Sequence, residues 1–541
     1  MSAEKDTGKP LPEAPAAGGL RVSGGKLFRS TSLVSGMTLL SRILGLVRDV
    51  VLARYFGASL VMDAFLVANR IPNMLRRFFA EGAFSQGFIP VMSRYRERHG
   101  HEEAREFVDA VAGTFGIVLF VVTLIGVIAA PVLVLIVAPG FIGDGGDFDL
   151  ATLMLRFTFP YLFFVSLTAF AGGILNTYGR FAVPAFTPVI LNVVLIAAAI
   201  GLSPRLEQPG MALAYAVFVA GVVQLAFQIP FLKRVGTLPR PRWKPAHEGV
   251  RRAVKLMIPA IFGSSVAQIN VLLGGIIASM LGVGSISYLY YSDRLMEFPL
   301  GLFGIALATV TLPYLSRLWA NGDRDDFSRT VDWSLRLAML VSVPAALGLY
   351  VLAEPLIATI FFRGEFDAID VHMTALALRA YALGLVGFSA VKILAPAFFA
   401  REDTKTPVRI ALIALAANLV LSIVLAWHLT RTGFSGPHAG LAAATSAAAV
   451  LNALLLYRGL RRDRALQHQP GWGVLIAQIV VANGIMWWLL SWLARPVDWW
   501  LAATLGDRAG WLLVNVAGGA LVYGGVLIAL GLRPSKLGIR R

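Results

Sequence analysis

Fourteen separate stretches of this chain are long and apolar enough to cross a bilayer, and no other feature limits its fold so severely. A spanning helix needs about 20 mainly apolar residues. Runs near 32–56, 61–92, 107–138, 151–177, 182–202, 210–231, 254–281, 286–316, 330–353, 373–399, 407–429, 438–457, 471–494 and 510–532 meet that length. A transmembrane barrel would show alternating segments of about 10 residues instead. The expected fold is therefore an all-α polytopic membrane protein with 14 transmembrane helices. Composition agrees: 57% of residues are hydrophobic and only 15% charged, against roughly 25% charged in soluble domains. The first run is too long for a signal peptide and lacks a small-residue cleavage pattern. Residues 1–25 are polar and rich in Gly and Pro and read as disordered, so 1–29 is taken as a cytoplasmic tail.

Orientation follows from the basic residues on alternate sides. With the N-terminus inside, the cytoplasmic segments hold 32 Lys and Arg, while the opposite side holds only Arg205, Arg363, Arg431, Arg495 and Arg508. Both termini are thus expected in the cytoplasm. The formal net charge is +17, but the cations are scattered between apolar runs rather than clustered on a polar domain. That pattern points to an anionic lipid or membrane surface and away from nucleic acid.

An internal repeat spaced by 223 residues divides the chain. Ile89-Pro90-Val91-Met92-Ser93-Arg94-Tyr95 matches Leu312-Pro313-Tyr314-Leu315-Ser316-Arg317-Leu318, Arg156 maps to Arg379, and Pro184 maps to Pro407. Six helices separate the copies, so the repeats are parallel, as in two-lobed transporters. The expected plan is an N-lobe of helices 1–6 (30–231), a basic cytoplasmic linker (232–253), a C-lobe of helices 7–12 (254–460), and helices 13–14 with the C-terminus (461–541).

Eleven basic residues lie within the proposed spans, where a mid-bilayer charge costs from about 2.5 kcal/mol upward. They concentrate in the first two helices: Arg42, Arg48 with Asp49, then Asp63, Arg70, Arg76 and Arg77 with Glu81. These must face water or one another. Arg42 and Asp49 share a helix face, as do Asp63 and Arg70, and Arg77 and Glu81 are spaced to pair. Pro72 is expected to break the second helix. In the C-lobe the matching region carries Asp293, Arg294 and Glu297, and Lys392 lies further on. Structural ion pairing suits Asp49, Asp63 and Glu297. The excess of arginine leaves Arg42, Arg48, Arg76 and Arg294 for an anionic ligand, because a guanidinium fork holds phosphate or carboxylate oxygens bidentately.

Enzymatic chemistry finds no foothold. There is no cysteine, which removes disulfides and thiolate chemistry. No phosphate-binding loop is present, no H-E-x-x-H, and no nucleophile paired with a histidine base. His99, His101 and Glu102 stand together but read as a solvated loop.

From Ser41-Arg42 to Ser93-Arg94-Tyr95, and again at Asp293-Arg294-Leu295-Met296-Glu297-Phe298-Pro299, the chain resembles the MurJ/MviN family of lipid II flippases. This family lies within the multidrug/oligosaccharidyl-lipid/polysaccharide exporter superfamily. The likeness continues through Ala171-Gly172-Gly173-Ile174-Leu175-Asn176-Thr177, Lys392-Ile393-Leu394-Ala395-Pro396 and Thr404-Lys405-Thr406-Pro407, and Arg76-Arg77-Phe78-Phe79-Ala80-Glu81-Gly82-Ala83-Phe84-Ser85-Gln86 is its most specific stretch. The resemblance implies two lobes around a central cavity and a hydrophobic groove from the last helix pair. It places essential cavity arginines at Arg42, Arg48, Arg76 and Arg294 and an essential acid at Asp63, with Asp49, Arg70, Arg77, Glu81, Asp293, Glu297 and Lys392 in support. The implied function is transport, not catalysis: lipid II, an undecaprenyl-pyrophosphate-linked peptidoglycan precursor, is moved from the inner to the outer leaflet of the bacterial cytoplasmic membrane. An exporter of another anionic lipid-linked saccharide, or of drugs, is the alternative. Membrane lipids and cell-wall synthesis proteins are the other partners implied. Some members of the family bind sodium through carboxylates and an asparagine. Asn418 suits such a role, but Ser422 stands where a carboxylate is wanted and helix 7 offers Gln268 and Asn270. No cofactor is expected, and a coupling ion or the membrane potential is left as the energy source.

Overall fold

A computed structural model describes residues 24–77, 83–98, 100–143, 147–467 and 469–532. Among these residues the chain is helical, with one isolated antiparallel bridge between Arg363 and Phe366. Each apolar run of the sequence has its counterpart. The first is α1 (Gly24–Phe56); the second is divided into α2 (Leu60–Arg76) and α3 (Ala83–Arg98). The third comprises α4 (Gly100–Ile128) and α5 (Ala130–Val137), the fourth α6 (Asp147–Thr158) and α7 (Tyr161–Thr177). Then come α8 (Ala182–Ala197), α9 (Met211–Val235), α10 (Glu248–Ser279), α11 (Ser285–Ala320) and α12 (Arg324–Val351). A short α13 (Ala353–Ile360) leads to α14 (Ala368–Phe399), α15 (Lys405–Arg431) and α16 (His438–Arg462). The last pair is α17 (Trp472–Trp492) and α19 (Leu505–Ala529), joined through α18 (Val497–Ala502).

Ten of the described helices are long and apolar enough to cross a membrane. Large apolar side chains point outward from them, among them Phe120 at 58% exposure, Val420 at 59% and Leu521 at 75%. Such a surface is stable only against lipid. The runs outside that set are α1, α2 with α3, α10 and α11, and α1, α2 and α11 carry the charges singled out above.

The 223-residue repeat reappears in the helix starts and in the packing. Helix α5 begins at Ala130 and α13 at Ala353; α8 begins at Ala182 and α15 at Lys405. One buried cluster joins Met92, Ala104, Val108, Phe170, Ala171 and Leu175. A second joins Leu315, Phe327, Val331, Ile393, Leu394 and Phe398, each 223 residues further on. Side-chain sizes differ between the two: Ala104 becomes Phe327, and Phe170 becomes Ile393. Helix α10 is rooted in the first cluster through Val250, Ala253 and Met257 before it continues along α15.

The last pair is fastened to the second half at both ends. At one end Asp332 of α12 accepts hydrogen bonds from Arg336 Nε and Trp472 Nε1, both at 2.7 Å. At the other, Arg508 in the first turn of α19 donates to the carbonyls of Ala358 at 3.2 Å and Leu501 at 2.7 Å. The sequence had placed Arg508 in an outer loop; it is buried because those carbonyls lie where helix ends leave them unpaired.

Pro72 does not break its helix. α2 runs through it to Arg76. Proline removes the N–H that would have bonded the carbonyl four residues back, here Ala68, and Thr158 Oγ1 of α6 donates to that carbonyl at 3.0 Å instead. A side chain on a neighbouring helix thus replaces the lost ladder bond. Thr158→Val, nearly isosteric, should leave the Ala68 carbonyl unsatisfied and cost about 1–3 kcal/mol. The measurement is the thermal unfolding midpoint in detergent, which should fall; an unchanged midpoint would show that Thr158 is not the replacement.

Candidate functional site

The charges of α1 and α11 converge on one carboxylate. Asp49, 2% exposed, accepts from Arg48 Nη2 at 2.7 Å and Nε at 3.0 Å, and from the Tyr290 hydroxyl at 2.8 Å. Its second oxygen lies 3.4 Å from Arg294 Nε. Arg48 reaches onward, donating to Asn192 Oδ1 at 3.1 Å and to the Tyr290 hydroxyl oxygen at 3.0 Å. Asn192 in turn donates to the Ser41 carbonyl at 3.1 Å, fixing α8 to α1. Tyr290 and Arg294 stand one turn apart on α11, so they share a face, and the guanidinium lies 5.2 Å from the ring centroid. An arginine from each half of the chain is therefore held on a single aspartate, and Arg294 keeps 39% of its side chain exposed.

Further charges surround this node. Glu297 Oε2 is 3.4 Å from Arg294 Nη1 and is itself 56% exposed. Arg42 lies against Gly301 of α11, where any side chain would displace it. Lys392 of α14 is within electrostatic reach of both Glu297 and Arg42, and Asp293 within reach of Arg294 and Arg77. Arg76 Nε donates to Asn73 Oδ1 at 3.2 Å, and Arg77 Nη1 to Gln268 Oε1 of α10 at 3.4 Å. Glu81 lies outside the described residues. Among the described residues Arg42, Arg48, Arg77, Arg294 and Lys392 thus outnumber the acids Asp49, Asp293 and Glu297 set among them.

Residues that share a helix face do not pair here. Asp49 pairs with its neighbour Arg48 and with Arg294, not with Arg42 on its own helix face. Asp63 forms no close ion pair with Arg70. It instead accepts from the backbone amides of Gly284 at 2.7 Å and Ser287 at 2.8 Å and from the Ser287 hydroxyl at 2.5 Å. Those amides open α11, where four N–H groups lack intrahelical partners and the helix dipole is positive, so a carboxylate fits better there than beside a guanidinium. Arg70 packs on Gly275 of α10, its Nη1 buried without a hydrogen-bond acceptor.

The same end of the molecule carries a reciprocal contact. Asp370, in the first turn of α14, accepts from the Ala58 amide at 3.0 Å and the Tyr288 hydroxyl at 3.1 Å. The Glu365 amide donates to the Arg54 carbonyl at 2.9 Å, and Gly57 and Gly364, both in the left-handed region, let these backbones touch. Each half thus offers an aspartate to a helix start of the other, and the two halves are shut together at this end.

Asn192, Tyr290, Ser287 and Asp370 were not foreseen. Asn192 was findable, as a lone amide in an otherwise apolar run. Tyr290 stands one turn before Arg294, but only the fold sets its hydroxyl between Arg48 and Asp49. In the second half, Asn418 donates to Asn270 Oδ1 at 2.6 Å and receives Ser422 Oγ at 3.4 Å. Among the described residues no three of His, Cys, Asp and Glu stand together as a metal site would require.

Residues 52–502 match the family model described as lipid II flippase MurJ. A probable lipid II flippase MurJ of Vibrio cholerae is 46% identical over 521 residues, covering 95% of this chain and 98% of the relative. The chain belongs to the MurJ family. A lipid II flippase MurJ of Burkholderia cenocepacia is 45% identical over 476 residues, covering 87% of this chain and 91% of that one. Among solved structures, a lipid II flippase MurJ in an inward closed conformation superposes with a TM-score of 0.73 at 27% identity, covering 92% of this chain and 99% of its own. An inward-facing multidrug resistance transporter, itself of the MOP superfamily, reaches 0.65 at 14% identity, covering 80% of this chain and 98% of that one; that likeness concerns the fold alone. MurJ membership makes this chain a multi-pass membrane transporter rather than an enzyme.

Removing the shared carboxylate should be worse than removing either arginine. Asp49→Ala leaves Arg48 and Arg294 facing each other, and an uncompensated buried charge costs about 3–5 kcal/mol. The expected outcome is a lower thermal midpoint than for Arg48→Ala or Arg294→Ala, measured in the same detergent. Equal midpoints would show that Asp49 does not join the halves.

Proposed function

We propose that this chain carries lipid II across the membrane by alternating access, with arginines from both halves holding the pyrophosphate and headgroup. The observation that carries the reading is the Asp49 node, where Arg48 and Arg294 meet across the two halves. Lipid II bears a pyrophosphate and carboxylates at one end and a polyprenyl tail at the other. A pyrophosphate moving through a medium of low dielectric needs its counter-charge at every depth. Guanidinium groups stay charged at any accessible pH and present paired donors to phosphate oxygens. Arg42, Arg48, Arg76 and Arg294 are assigned to the substrate, Asp49 and Glu297 to keeping them apart and oriented until it arrives.

The tail has a separate path. Trp487, Trp488 and Trp492 on α17 are 55%, 65% and 73% exposed, and Arg495 lies 4.6 Å from the Trp499 ring centroid and 4.3 Å from that of Trp511. Aromatic rings with a polar edge favour the membrane interface. A tail lying along the last helix pair stays in lipid while the headgroup crosses inside.

The count of 32 basic residues against 5 supports both termini lying in the cytoplasm of a bacterial inner membrane. With that sidedness the Asp63 and Asp370 contacts form the outer closure, so the halves are shut toward the outside. Hydrogen bonds to a charged acceptor contribute about 1.5–3 kcal/mol each, and substrate binding must offset those of Asp63 before the outer end opens.

Depletion of the native flippase in cells, followed by measurement of lipid II in the outer leaflet, tests the reading. Arg76→Ala and Arg294→Ala should each fail to restore outer-leaflet lipid II, by tenfold or more, at normal expression; full function of both would sink the assignment. Asp63→Ala should loosen the outer closure. Because the chain has no cysteine, spin labels at Leu60→Cys and Val283→Cys report it directly. The distance between them should lengthen in Asp63→Ala, and an unchanged distribution would remove Asp63 from the gate.

A further inference from the structure

The basic segment between α9 and α10 is not a slack connection. Asp109 of α4, 4% exposed, accepts from the Arg240 amide at 2.7 Å through its side chain and from the Arg242 amide at 3.0 Å through its carbonyl. The Arg242 backbone lies so close to Gly113 that any side chain there would collide with it. Lys244 Nζ is 2.6 Å from Glu106 Oε1, and the His247 ring accepts from the Gly249 amide at 3.1 Å to cap α10. The backbone is thus fixed along α4 while the side chains of Arg240, Arg242 and Trp243 stand exposed, Trp243 at 55%.

The depth of this ledge is set by the helices beside it. On α4, residues from Phe107 to Gly113 are buried in protein, and outward apolar exposure begins at Ile117. That is one turn, about 5 Å, beyond Gly113. On α10 the exposed cations Arg251, Arg252 and Lys255 give way within two turns to exposed apolar residues, Val254 among them and Leu256 and Ile258 beyond. The ledge therefore sits at the boundary where the lipid-facing surface starts. A tryptophan at that level, flanked by Arg240, Arg242, Arg251 and Arg252, has the chemistry of the headgroup region: an amphipathic ring for the interface and cations for phosphodiesters.

We propose that this ledge is a binding site for the headgroup of an anionic phospholipid of the inner leaflet, built by the Asp109 clasp rather than by net charge alone. The inner-leaflet assignment rests on the sidedness given above; the site itself does not.

The clasp makes the proposal separable from general electrostatic attraction. Asp109→Ala frees the segment yet makes the protein more positive, whereas Asp109→Asn keeps an oxygen to receive the Arg240 amide. Native mass spectrometry of the full chain, released from mixed phosphatidylglycerol and phosphatidylcholine, counts the lipids retained. Phosphatidylglycerol should be retained in preference. Its apparent affinity should fall about threefold or more in Asp109→Ala and in Arg240→Gln/Arg242→Gln, and stay near the starting value in Asp109→Asn. Unchanged retention in Asp109→Ala, or equal retention of the two lipids, overturns the site. Quenching by brominated phosphatidylglycerol, taken as the difference between the chain and Trp243→Phe, should be clear. No quenching would mean that the ledge faces a soluble partner and would overturn the proposal. A Trp243→Cys chain should resist an impermeant maleimide in intact cells, and labelling from outside would overturn the inner-leaflet assignment alone.

Discussion

A charge cannot stand alone in the middle of a membrane protein, and this molecule is organised around how it answers that constraint. Asp49 is the clearest answer. It lies almost wholly buried on α1 and takes a guanidinium from its own helix and another from α11. Two cations on one anion is an incomplete neutralisation, and among the described residues Arg42, Arg77 and Lys392 nearby extend the imbalance. In a soluble protein water would absorb the surplus at little cost. Here it leaves the interior with a net positive charge at the place where the two halves are joined.

The closure at the other end uses the same currency in a different form. Asp63 and Asp370 each face the start of a helix in the opposite half, and the positive groups they meet are backbone amides rather than side chains. An amide at a helix start is rigidly placed, so these contacts define one arrangement of the halves, whereas a flexible arginine would permit many. The node is suited to exchange partners with a ligand; the closure is suited to being made or broken as a unit. Around both, each half keeps its own repeated core, and the last helix pair is tied to the second half through Asp332 and Arg508.

Much of this was readable from one sequence. The fourteen runs, the 223-residue period and the concentration of charge in α1, α2 and α11 follow from hydropathy and spacing, and the structure repeats the period in its helix starts and in core positions such as Leu175 and Phe398. Pairings were less readable. Helical spacing put Arg42 on the face of Asp49 and Arg70 on the face of Asp63, yet both aspartates found partners 230 or so residues away. Spacing along one helix says which residues share a face, not what stands opposite. Pro72 misled for a related reason: the loss of its N–H is a local fact, whereas its compensation by Thr158 lies on another helix.

The sequence by itself determined that the chain is a helical polytopic membrane protein, where its apolar runs lie and in which of them charge concentrates, because each of these depends on transfer from water to lipid residue by residue. Which cation meets which anion, which amides Asp63 and Asp370 receive, and how the basic segment after α9 is clasped by Asp109 were decided by the tertiary structure alone. Those are contacts of a few ångströms between helices distant in sequence, and only the packing of the whole molecule sets their register.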